Sequence, residues 1–239
     1  MKKISTLLLF SCLFFGAAVS QNLEINGKGS YKSTWLFNNN ISNAGPEMDY
    51  AAGWGYNYGV GATFFFNEAL GLGFDLLMNT HNGNYTGELN KFTTYNSRIE
   101  LQSMDIPILF KARSSMGGFL EIGPQISLIN KATFYGDMTV RDSATNTSKT
   151  DHITGNVDTS YTSTNVSAVL GLGIKIKITH RIGIITGLRF EYGLTDLQGV
   201  DGLGLALKNS FFYPKYESTH SAAGSVFVGA SLLLGKIPD

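Results

Sequence analysis

One cysteine, five prolines, two tryptophans and four histidines are spread over 239 residues, and each scarcity removes a class of protein. Cys12 sits inside an apolar run near the amino terminus, so neither a disulfide scaffold nor thiol chemistry is available to the rest of the chain. His81, His152, His180 and His220 have no cysteine or histidine at zinc spacing, and the loop acids lack the spacing of a calcium loop; no metal or cofactor is implied. No later stretch offers the ~20 uninterrupted apolar residues of a transmembrane helix. Neither sign of charge dominates: 18 basic residues balance 18 acidic ones, with no basic cluster to hold nucleic acid.

What is abundant is glycine, 28 residues, together with 16 phenylalanines and 11 tyrosines, a mixture suited to curved strands and aromatic belts. Lys2-Lys3, the apolar run from Leu7 to Phe15 and the small-residue site Ala18-Val19-Ser20 read as a secretory signal over residues 1–20. Residues 21–239 then form one domain, slightly acidic once Lys2 and Lys3 are removed, without a linker between two composition regimes.

The clearest pattern lies in Asn165–Leu194. Val166, Ala168, Leu170, Leu172, Ile174, Ile176 and Ile178 share one face of a period-two repeat, against Asn165, Ser167, Val169, Gly171, Gly173, Lys175 and Lys177 on the other. The repeat resumes after Thr179-His180-Arg181, which predicts a hairpin. The same alternation predicts strands near 25–37, 53–66, 70–79, 98–113, 118–131 and 220–234, with Pro107 marking a bulge. The count is eight, and the connections alternate long and short. Outer-membrane barrels combine an even number of antiparallel strands with short periplasmic turns and long external loops. The expectation is an all-β, eight-stranded, antiparallel up-and-down transmembrane β-barrel with four long external loops, one of them the polar stretch from Tyr135 to Ser163. A secreted soluble ligand-binding barrel, with the oily face turned inward, is the structural alternative.

If the oily face meets lipid, the charged phase lines the lumen. Lys28, Lys32, Asp75, Asp105, Lys111, Glu121, Lys175, Lys177, Arg189 and Glu191 mix both signs, and an eight-stranded interior is just wide enough for side chains to fill. They are expected to pair as a plug that fixes register rather than to line an ion path. Trp35, Phe37, Trp54, Tyr56 and Tyr192 at the loop ends of strands, with Phe64 and Phe66 at a turn end, are expected to form the headgroup belts.

The stretches MDIPILFKAR, GFLEIGPQISLI and GIKIKI…GLRFEYGLTDL resemble the PorT-like outer-membrane β-barrel family of the Bacteroidota over nearly the whole mature chain. The resemblance implies an eight-stranded barrel in the outer membrane of a Gram-negative bacterium. It also implies a branch that assists secretion machinery, and no catalytic residues. The chain departs from many such barrels in ending Leu234-Gly235-Lys236-Ile237-Pro238-Asp239 rather than on an aromatic residue. The functional expectation is a monomeric, non-enzymatic protein embedded in outer-membrane lipid, working through its external loops or with other envelope proteins. The alternative is a lipid-modifying hydrolase or acyltransferase using His220 with Ser221, His81 with Asp75, or His152 with Asp151. Neighbours on a strand point to opposite faces, which disfavours His220–Ser221, and all four histidines are expected to be solvated loop residues.

Overall fold

The computed structural model describes residues 22–235 apart from 143, 144, 146 and 214. The signal segment and Cys12 lie outside the described residues. The described chain is antiparallel β-structure in ten strands: β1 (Asn22–Phe37), β2 (Asp49–Ala51), β3 (Gly53–Phe65), β4 (Leu70–Asn90) and β5 (Thr93–Arg113), then β6 (Gly118–Arg141), β7 (Ser148–Asn156), β8 (Thr164–Lys177), β9 (Ile182–Gly193) and β10 (His220–Gly235). A single helical turn, α1 (Asn39–Ser42), is capped by the Asn38 side chain, which accepts from the Asn40 amide. Among the described residues no helix is long and apolar enough to cross a membrane.

Ten strands replace the expected eight because two connections carry short strands of their own. β2 pairs with β4, and β7 pairs with β6. The other eight pair each with the next, and β10 returns along all of β1, from Asn22↔Gly235 to Phe37↔His220, so that the hydrogen-bonded ladder closes on itself. Closure leaves these eight without a free edge.

The expected polar connection from Thr80 to Ser97 is instead a continuation of β4 and β5, paired through Asn90↔Thr93. Likewise β6 runs on to Arg141, and Tyr135–Ser163 holds the β6–β7 hairpin together with a 3₁₀ turn at Asp158–Ser160. These segments lack the oily alternation of the ring strands, which is why their sequence reads as loop. Pro107 does not form a register shift; the shift falls at Gln102–Ser103, and Pro107 lies where the β4–β5 ladder is interrupted between Phe74↔Ile108 and Leu77↔Asp105.

One feature of β4 and β5 defines the molecule's long axis. On β4 the outward phase is Leu72, Phe74, Leu76 and Met78, and then, without a break in the strand, Thr80, which is buried, followed by the half-buried Asn82, Asn84 and Thr86. On β5 they are Phe110, Ile108, Ile106 and Met104, followed by Gln102, Glu100 and Arg98. The change falls at one level, because Met78 pairs with Met104 and Thr80 with Gln102. It recurs on β6, where Leu128 pairs with Met104 but Lys131 pairs with Gln102.

The buried phase changes in the opposite sense at the same place. Inside the ring it is Gly73, Asp75, Leu77 and Asn79; beyond the change it carries Tyr85 and, on β5, Leu101, Ile99 and Tyr95. One end of the sheet is therefore oily outside and polar inside, whereas the other is polar outside and oily inside.

Candidate functional site

The ring interior is organised as two layers of ion pairs. The alternating phase turns one residue in two inward, and the sequence places small residues opposite the long charged ones. A Cβ on Gly73 would lie 2.6 Å from Lys111 Cε, and one on Gly171 would lie 2.5 Å from Glu121 Cγ. These glycines do more than let the strands curve: they make room for charged side chains.

In the layer nearer the short turns, Lys28 Nζ is 2.6 Å from Asp75 Oδ2 and Lys111 Nζ is 3.1 Å from Glu121 Oε2. Arg189 joins the two pairs, donating through Nε to Glu121 at 2.8 Å and through Nη2 to both Glu121 and Asp75. Three cations thus share two carboxylates. In the next layer Lys32 Nζ is 3.2 Å from Glu191 Oε2. Asp105, fully buried, accepts from the Ser103 hydroxyl at 2.8 Å and from the Gln125 amide at 3.2 Å. Fixed donors of this kind satisfy a buried carboxyl group where no water can reach it.

Of the ten charged residues expected in the lumen, eight stand in these two layers. The other two are set apart. Lys175 is 2.7 Å from Glu24 at the turn end of the ring, and Lys177 is exposed there without an ion pair among the described residues. Glu24 falls outside the expected set because the expected strand starts at residue 25, whereas β1 begins at Asn22. His81 was also missed: far from being solvated, it is buried, and its Nε2 meets the Trp35 carbonyl at 3.0 Å. His152 and His180 are exposed as expected, and His152 pairs with Asp137 rather than Asp151, whereas His220 is half-buried at the start of β10.

Above the two layers the long connections fold into a hydrophobic core. Leu36, Ile41, Tyr85, Ile99, Leu197 and Leu207 are almost wholly buried there, and Tyr161, Val200 and Phe134 join them. The connection from 194 to 219 is pinned by Asp196, whose carboxylate accepts from the Tyr216 hydroxyl and from the backbone amides of Gln198 and Thr219. Partial burial raises the Asp196 pKa, but these three hydrogen bonds outweigh it and hold the group below the usual carboxylate range. Asp201 plays the same part beneath it, accepting from the amides of Leu203 and Leu205 and from the Tyr213 hydroxyl.

The expected belt residues lie near the level where the outward face changes. Trp54, Tyr56 and Tyr192 are half exposed, Tyr31 stacks on Trp54 at 5.4 Å, and Phe37 stacks on Trp35 at 6.0 Å. At the other end Phe66 is exposed and Phe64 partly so.

The nucleophile candidates stand apart. His220 and Ser221 point apart: Ser221 accepts from Asn165, whereas His220 Nδ1 meets the Gly193 carbonyl and Nε2 lies 2.8 Å from Ser218 Oγ. His81 contacts the Trp35 carbonyl and Asp75 belongs to the deeper layer. Among the described residues no three His, Cys, Asp or Glu side chains are grouped to hold a metal.

The model of the outer membrane protein β-barrel domain matches residues 19–199. The chain belongs to that family. It is accordingly an outer-membrane protein of a Gram-negative bacterium. No curated protein matches it. Among solved structures it is similar to Neisserial surface protein A at 10% identity, covering 88% of this chain and 96% of the other, with a TM-score of 0.39. It is also similar to Ail of Yersinia pestis at 11% identity, covering 90% and 99%, with a TM-score of 0.35, and to OprG of Pseudomonas aeruginosa at 8%, covering 91% and 97%, with a TM-score of 0.38.

Proposed function

We propose that this outer-membrane protein is an eight-stranded transmembrane barrel with a closed interior, and that it acts without catalysis through the polar-faced lobe that β2, β7 and the long connections build beyond the membrane. The single observation that carries the reading is the double inversion along β4 and β5. Outward side chains are oily up to Met78 and Met104 and polar from Asn82 and Gln102 onward, whereas inward ones change from charged to apolar. Lipid is the solvent that explains the first arrangement and water the second. The ion-pair layers and the hydrophobic cap leave the barrel without an aqueous path, so the lobe's outer surface is the part that meets partners. A monomer embedded in lipid, bound through this lobe to an envelope complex of the PorT-like, secretion-associated kind, is the role we assign. Crosslinking in intact cells from a residue on the lobe, such as Asn84, should capture a specific envelope protein. Planar bilayers should show no stepwise conductance; an open channel of porin size would refute the closed interior.

A lipid-acyl hydrolase has one observation in its favour, the 2.8 Å approach of Ser218 Oγ to His220 Nε2 near the rim. Against it, the third member is a backbone carbonyl, and Asp196, the nearby carboxylate, is occupied by Tyr216, Gln198 and Thr219. Phospholipid or lipid A turnover lost on Ser218→Ala would establish this second reading.

A further inference from the structure

The turn end of the ring holds a cavity of about 370 Å³ below the first ion-pair layer. All three short turns contribute to its mouth, through Glu68, through Ser114, Ser115 and Gly117, and through Thr179 to Arg181. Its floor is apolar: Phe65, Phe119, Ile185, Phe227 and Leu233 face inward, and Phe119 and Phe227 lie 6.2 Å apart, tilted. Toward the membrane centre it ends blindly on Lys28, Lys111 and Glu121, members of the first ion-pair layer.

The mouth carries a surplus of positive charge. Glu24 is 2.7 Å from Lys175 and 3.9 Å from Arg113, and with Glu68 it makes two carboxylates against the four cations Arg113, Lys175, Lys177 and Arg181. Arg113 also lies over the Phe65 ring at 3.7 Å, at the junction of mouth and floor. Lys177 and Arg181 are exposed in the same wall and make no ion pair among the described residues. The deeper cations are already matched, Lys28 with Asp75 and Lys111 with Glu121. The buried Asn26 Oδ1, in the wall between mouth and floor, has no hydrogen-bond donor.

These two halves ask for different chemistry in one ligand. A hydrocarbon would cover the floor but leave the surplus charge unmatched, and an inorganic anion would do the reverse. The volume lies within the range of small-molecule sites, about 300–1,000 Å³. We propose that the cavity binds a single-chain amphipathic anion. The tail lies on Phe119 and Phe227 and the head, a carboxylate or a phosphate monoester, accepts charge-assisted hydrogen bonds from Lys175 and Lys177. With the ion-pair layers above it, the site holds its ligand rather than passing it on.

Ile184 and Ile185 supply an internal control, because Ile185 is buried toward the cavity whereas Ile184 is exposed on the lipid-facing side. The full chain, folded in phosphatidylcholine nanodiscs with methyl-labelled isoleucine, is titrated with decanoate, decyl phosphate and decyltrimethylammonium. The anions should shift the Ile185 methyl saturably and leave Ile184 in place; the better of the two identifies a fatty-acid or a phosphate head. Lys175→Gln/Lys177→Gln should weaken anion binding about tenfold or more, the effect of losing hydrogen bonds to a charged group. The unliganded Ile185 signal and heat-modifiable gel migration should show that this variant still folds. Equal binding of the cationic amphiphile, an unchanged double variant, or shifts of Ile184 in step with Ile185 would each overturn the proposal.

Discussion

Arg189 and Glu121 offer a test of the interior that separates a structural plug from an incidental cluster. The layer contains Lys28, Lys111 and Arg189 against Asp75 and Glu121. Arg189→Met removes the hydrogen bonds to Glu121 and Asp75 but leaves two cations facing two carboxylates, already paired at 3.1 Å and 2.6 Å. Glu121→Gln leaves three cations sharing Asp75 alone. Breaking a buried pair by removing one partner costs about 3–5 kcal/mol, mostly because a charge is left uncompensated. Arg189→Met should therefore sit at the low end, about 3 kcal/mol, and Glu121→Gln at or above the high end, about 5 kcal/mol. The assay is reversible urea unfolding in lipid vesicles, followed by heat-modifiable migration, with the slope of the transition checked so that only stability is compared. Equal losses, or Arg189→Met as the worse variant, would refute the charge accounting. Losses below ~0.5 kcal/mol for both would show that the layer does not hold the barrel together.

Three further outcomes follow from the geometry. An arginine at Leu172 or Leu188, which pair with each other on the outward face, should cost ~2–4 kcal/mol of insertion, measured by the same unfolding assay; a neutral effect would remove lipid from that face. Leu207→Ala, in the cap, should cost about 2–5 kcal/mol locally, seen as faster proteolysis of the 194–219 connection while the barrel's unfolding midpoint stays fixed. Asp196 has a folded pKa below its unfolded one, so its contribution is complete above about pH 4 and is lost as pH falls through the lowered value. Proteolysis of that connection by an acid-active protease should accelerate there, and Asp196→Asn should abolish the acceleration.

The ring was legible in the sequence because lipid and a filled interior each demand one composition, and a strand presents them alternately. Leu72, Phe74, Leu76 and Met78 could be assigned a face without any knowledge of partners. The lobe was not legible in the same way. Asn82, Asn84 and Thr86 look like loop because strands in water need no oily outer face, and their inner face uses only Gly83, Tyr85 and Gly87. The ion pairs were visible as a set of charges but not as pairs, since Lys32 and Glu191 meet across 159 positions and the register that joins them depends on closure between β1 and β10. The partner of Lys175 was hidden for a related reason: Glu24 lies 151 positions away, near the start of β1.

Two cores in one chain place opposite demands on the same strands. Beyond Thr80, burial of Ile99, Leu101 and Leu207 is driven by water, and the lobe can be stabilised as any soluble fold is. Below Met78 the outward side chains gain nothing from clustering, since lipid is as apolar as they are, and specificity passes to the interior. There the backbone ladder is satisfied by closure alone, which fixes the number of strands but leaves the register open to a slip of two residues. Such a slip would keep every face correct and yet separate Lys28 from Asp75 and Arg189 from Glu121, stranding charges where no water reaches them. The ion pairs therefore act chiefly by excluding wrong registers, and the hydrophobic cap above them gains a fixed platform on which the lobe is built.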